Sequence, residues 1–135
     1  MIWPLRALFG IILVWMTGLV AWASLQCPLF GIPAPVLHHP WFLATLSDAY
    51  CAFVTFYIWV AYKQTSPVAK AAWFFAVILL GNIAMATYCL RELWGVPPAG
   101  SLSPIFVRKR PGKDPLGIIL AVVGIAVTLG GLPFR

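Results

Sequence analysis

With 135 residues, 62% of them hydrophobic and only 9% charged, the chain is too apolar for an ordinary soluble domain, where about a quarter of residues are charged. Nine basic residues against three acidic give a formal charge of +6. That balance points to anionic lipid headgroups, and with no accompanying nucleic-acid-binding fold or aromatic-basic interleaving it argues against a nucleic-acid partner. The three cysteines, Cys27, Cys51 and Cys89, contain no CxxC pair and are odd in number, so they suggest neither a disulfide framework nor a zinc site.

Residues 1–25 open with IWPLR and then run apolar, with Ala21-Trp22-Ala23 resembling a signal-peptide cleavage site. The run nevertheless reaches spanning length, and Trp15 and Trp22 are bulky for a cleavage region, so an uncleaved helix over 5–25 is expected. Thr17, Ala21 and Ser24 lie on one face, with Gly10 and Gly18 nearby, and predict its packing side. Residues 26–40, QCPLFGIPAPVLHHP, cannot form a continuous helix because Pro28, Pro33, Pro35 and Pro40 interrupt it. Its apolar residues suggest a segment lying at a membrane surface. His38 and His39 are read as interfacial or capping residues, since adjacent side chains diverge and no third metal ligand has suitable spacing.

The stretch 41–62, WFLATLSDAYCAFVTFYIWVAY, is bracketed by aromatics and contains one acid, Asp48. As a helix it measures about 33 Å, enough for a hydrocarbon core of about 30 Å. Lys63 stands where its ammonium could snorkel out of the membrane. Ala44, Asp48, Cys51, Thr55 and Tyr62 share one side, while Phe42, Phe53 and Phe56 occupy the other. This asymmetry predicts that the Asp48 side faces protein and the aromatic side faces lipid.

Residues 71–94, AAWFFAVILLGNIAMATYCLRELW, are expected to form a third continuous span. Gly81-Asn82 would signal a turn in a soluble hairpin, but between apolar runs it is read as a close helix contact. Antiparallel packing against 41–62 brings Thr87, Tyr88 and Arg91 nearest the level of Asp48. Arg91 is therefore its expected partner in an intramembrane polar network of Asp48, Asn82, Tyr88 and Arg91. Residues 95–113 carry Arg108, Lys109, Arg110 and Lys113, expected to face lipid headgroups. Asp114-Pro115 predicts an N-cap and first helical position. A fourth helix follows over 115–133, with Gly117, Ala121, Gly124, Thr128 and Gly131 forming a small-residue face.

The expected fold is thus all-α, an integral membrane bundle of four transmembrane helices in a single domain. The charges do not agree with four alternating spans. Arg6, Lys63 and Lys70 favour placing the amino terminus and the 63–70 connection inside. Arg91 and the 108–113 cluster favour the next connection inside as well, which alternation forbids. The first two spans tip the reading towards an inside amino terminus.

Pro40-Trp41, Ala44-Thr45-Leu46, Asp48-Ala49-Tyr50, Trp59-Val60-Ala61-Tyr62-Lys63 and Gly81-Asn82 resemble a family of small multi-spanning membrane proteins known as a domain of unknown function. The resemblance covers a three-helix core over 1–94 and leaves 95–135 as an extension with the basic connection and fourth helix. It implies membrane residence and brings no activity or cofactor.

Three functions remain open. The leading one is a structural or accessory subunit in a larger membrane assembly, contacting lipids and a membrane protein partner or another copy of itself. A small cation- or proton-coupled transporter would place Asp48 in its pathway. A membrane enzyme would use His38, His39 and Asp48, although no nucleophile or metal constellation accompanies them. No cofactor is indicated.

Overall fold

The computed structural model describes residues 1–131, and seven helices account for their regular structure. These are α1 (Ile2–Gln26), α2 (Ala34–Leu37), α3 (Pro40–Lys63), α4 (Pro67–Leu80), α5 (Asn82–Trp94), α6 (Ser103–Val107) and α7 (Pro115–Gly130). The all-α expectation holds. Of the four expected spans, α1 and α3 are long and apolar enough to cross a membrane, whereas α4 and α7 are shorter apolar helices. The predicted end of the fourth helix at 133 lies outside the described residues.

The largest departure is at Gly81, where the expected continuous helix over 71–94 breaks into α4 and α5. Gly81 has φ 52° and ψ −124°, a conformation open to glycine and strained for side chains with a Cβ. The chain reverses there. A straight helix would hold residues 73 and 88 about 22 Å apart, yet the Trp73 and Tyr88 rings meet edge to face at 4.7 Å. The Phe53 ring of α3 sits against the turn, and a Cβ on Gly81 would come within 2.5 Å of it. Gly81-Asn82 is thus the turn of a helical hairpin, and the apolar flanks that favoured a continuous span are its two arms.

This reversal sets the directions of the other helices. α3 and α4 are antiparallel neighbours, and α5 returns towards the end where α3 finished. α7 runs alongside α4 in the same direction, with Gly117 against Trp73 and Gly124 against Leu79 and Leu80. A Cβ on Gly117 would lie 2.6 Å from Trp73 Nε1, so glycine permits this approach. Gly117, Ala121 and Gly124 are buried, as the small-residue pattern predicts. α1 packs antiparallel to α5 through Ile2, Leu5 and Phe9, near Leu93 and Val96. Its expected packing side is corrected: Thr17, Gly18, Ala21 and Ser24 are exposed.

The amino terminus, the 64–66 connection and the 95–114 connection consequently gather at one end. The 27–39 segment lies at the other, where Phe30 N–H donates to the Gly131 carbonyl at 3.4 Å. The main core lies between α3, α4 and α5, around Val60, Trp73, Ala76, Val77, Ala84 and Tyr88. Ala76 and Ala84 keep the hairpin arms close, and aromatic rings from α3 fill the space beside them. That filling reverses the expected facing of α3. Phe53 and Phe56 pack inwards, while Ala44, Asp48, Cys51, Thr55 and Tyr62 are exposed.

Candidate functional site

Ionic and polar side chains converge at the end where the connections gather. α3 terminates with Lys63 fully buried, its ammonium donating to the Glu92 carboxylate and the Ile105 carbonyl. The same ammonium stands 5.0 Å from the Trp59 ring centroid and 5.9 Å from that of Tyr88. These ring faces favour the cation where water is excluded. Glu92 is also fully buried, and its second oxygen accepts from Arg110 Nε at 2.7 Å. Its carboxylate is therefore clamped between cations from α3 and from the 108–114 segment.

Asp114 forms the second centre. It caps α7 by accepting from Gly117 N–H at 3.4 Å, in agreement with the sequence. Its carboxylate also accepts from Trp73 Nε1 at 2.8 Å, from Gln64 Nε2 at 3.2 Å and from Arg91. Burial works against charging this carboxyl. Hydrogen bonds from Trp73 and Arg91, the Arg91 charge and the Gly117 N–H outweigh that effect and hold its pKa below the ordinary value.

Adjacent residues on α5 feed the two centres: Arg91 reaches Asp114, while Glu92 reaches Lys63 and Arg110. Backbone hydrogen bonds add a short bridge, from Arg110 N–H to the Lys63 carbonyl at 2.8 Å and from Thr65 N–H to the Arg110 carbonyl at 3.2 Å. Arg6 closes the end of α5 by donating to the Leu93 and Val96 carbonyls, each at 2.9 Å. The layer thus ties α1, α3, α4, α5 and α7 to the connection between α6 and α7. Among the described residues, Gln64 Oε1 and Tyr88 OH are buried within it without a hydrogen-bond partner.

The expected network of Asp48, Asn82, Tyr88 and Arg91 is divided. Tyr88 and Arg91 belong to this layer, whereas Asn82 is exposed at the hairpin turn and Asp48 on the outer side of α3. The Asp48–Arg91 pair is replaced by Asp114–Arg91, because the hairpin carries Arg91 to the start of α7. The basic cluster is also divided. Arg110 is drawn into the layer by Glu92, and Lys109 donates to the Tyr62 carbonyl with its ammonium over the Tyr62 ring. Arg108, Lys109 and Lys113 are exposed. His38 and His39 are exposed too, with His38 Nδ1 2.8 Å from the Ala34 carbonyl.

Glu92, Gln64 and Trp73 were not singled out as a polar site by the sequence. The available signal was the scarcity of acids: Glu92 and Asp114 are two of only three, beside an excess of basic groups. Among the described residues, no group of three or more His, Cys, Asp or Glu could hold a metal ion. The layer's evident chemistry is the pairing of charges that fasten helix ends together.

No curated protein and no solved structure matches this chain. A family match covers residues 2–109, continuing past Trp94 through α6 and into the basic segment. It includes Lys63, Arg91 and Glu92 and stops before Arg110 and Asp114. The chain belongs to the family described as protein of unknown function (DUF1475).

Proposed function

We propose that this protein is an accessory subunit of a larger membrane assembly, held in the bilayer by α1, α3 and α7, with α4–α5 as a hairpin entering from one side. The observation carrying this reading is the contrast between the inward-facing ionic layer and the outward-facing helical surfaces. Glu92 and Asp114 are engaged by side chains of this chain, while α1 and α3 expose Ile11, Val14, Trp15, Leu43, Val54 and Ile58. In a bilayer such surfaces meet lipid or another helix.

The hairpin supports an orientation that alternating spans did not. Both of its ends lie on one side, so the described basic residues, Arg6, Lys63, Lys70, Arg91, Arg108, Lys109, Arg110 and Lys113, all fall at the ionic end. Such concentration favours the cytoplasmic side for that end by the positive-inside rule. α1 and α3 would measure about 37 Å and 36 Å, and α7 about 24 Å.

The other readings have less support. Asp48 faces outwards, so a transport route built around it would run between chains. His38 and His39 lie in a proline-bounded segment, while Asp48 begins about 12 Å further along α3 from Pro40, leaving no compact catalytic constellation.

Purification in mild detergent, followed by mass analysis of the intact complex, tests the accessory role. A stoichiometric membrane protein partner is the expected result. A monomer or homodimer under conditions that preserve native assemblies would overturn it.

A further inference from the structure

The side of α3 bearing Asp48 is arranged for another helix. Ala44, Asp48, Cys51, Thr55, Ile58 and Tyr62 alternate by four and three residues, the spacing of a continuous helix-packing seam. All six are exposed, and the inward packing of α3 uses its opposite side, through Phe53, Phe56 and Val60. The exposed seam thus carries Ala44, Asp48, Cys51 and Thr55 together with the larger Ile58 and Tyr62, while Phe53 and Phe56 pack inwards. The small and polar groups among them are what a helix-packing surface offers and a purely lipid-facing one does not need.

Asp48 specifies the occupant. An ionisable group within a membrane segment is costly unless it meets an opposite charge or a wet cavity. Every described basic residue lies at the ionic end, more than half of α3 away, and Asp48 has no ion-pair partner among the described residues. A second copy in the same orientation would oppose Asp48 with another acid. We infer that this seam receives a transmembrane helix of a different protein, one carrying an arginine or lysine at the depth of Asp48. Ala44 and Cys51 allow close approach of the helices, while Thr55 and Asp48 provide polar contacts. The inference rests on the accessory-subunit reading and names the chemistry of the partner.

The full-length chain reconstituted in phosphatidylcholine vesicles can be tested by energy transfer to a labelled Leu-Ala transmembrane peptide carrying one central arginine. An otherwise identical peptide with leucine at that position is the comparison. The arginine peptide should associate about tenfold more strongly, as expected for one interhelical polar contact. Asp48→Asn should remove the preference, and Cys51→Leu should weaken association by obstructing the seam. Leu46→Ala, on the other side of α3, should leave the preference intact. Equal association of both peptides with the natural chain would overturn the proposal, as would a preference unchanged by Asp48→Asn. Association between labelled copies that excludes the peptide would assign the seam to a homodimer instead. If a natural partner co-purifies equally with the natural chain and Asp48→Asn, the accessory role stands and the Asp48 seam fails.

Discussion

The two halves of α3 meet opposite environments. Near its end, Lys63 is fully buried between Glu92, the Ile105 carbonyl and two aromatic rings. Nearer its start, Asp48 belongs to the same helix but is exposed, outside the ionic layer. The difference follows from the length of the hairpin. α4 and α5, with 14 and 13 residues, cover the later part of the 24-residue α3 and turn beside Phe53. A charge within their reach is built into the fold, whereas one beyond the turn is left exposed.

The most disruptive single change should be Glu92→Ala. It leaves the buried Lys63 ammonium without its carboxylate, a loss of about 3–5 kcal/mol by the usual cost of breaking a buried pair. Asp48→Asn, on the exposed half of the same helix, should change stability by no more than about 0.5 kcal/mol. Reversible unfolding in a defined detergent would measure both. Equal losses would remove the proposed division between a structural charge and an outward one.

Gly81→Ala should rank next, at about 1–3 kcal/mol, because alanine must adopt the positive φ and contend with the Phe53 ring. Phe53→Ala would relieve the crowding but not the backbone strain. The double variant should therefore be less unstable than the sum of the two single losses. Additive losses in the same unfolding assay would show that the ring does not press on the turn.

Asp114→Asn should have a smaller effect, about 1–2 kcal/mol, since asparagine can still cap α7 while losing the charged contact to Arg91. Its pH dependence distinguishes it from Gly81→Ala. Asp114 has a lower pKa folded than unfolded, so its stabilisation is complete above the ordinary value of 3.8 and lost as pH falls through the lowered folded value. The stability difference between the natural chain and Asp114→Asn should therefore narrow on acidification below that point. A constant difference through the acid range would remove Asp114 ionisation as its source.

Much of this architecture was readable because its causes are local. The lengths of α1 and α3, the proline-broken segment before Pro40, the Asp114-Pro115 start and the small-residue face of α7 each follow from a short run of sequence. The hairpin was not readable in the same way. Gly81-Asn82 carried a turn signal, but continuous apolarity on both sides equally suits two arms packed together or one long helix. That ambiguity propagated. With a continuous helix, Arg91 falls near Asp48; with a hairpin it reaches Asp114, and the inward side of α3 changes with it. The conflict between the positive charges and four alternating spans was the clearest sequence sign that the 71–94 stretch returns to its starting side.

The hairpin's sidedness is therefore the most direct test of the topology. In a chain with its three native cysteines replaced, Ser66→Cys and Ser101→Cys would place single labels before α4 and after α5. A membrane-impermeant maleimide applied to sealed vesicles of known orientation should reach both positions from the same side. Pro33→Cys, in the segment between α1 and α3, should react from the opposite side. Labelling of Ser66→Cys and Ser101→Cys from opposite sides would mean that residues 71–94 cross the membrane, contradicting the hairpin and the single ionic end built on it.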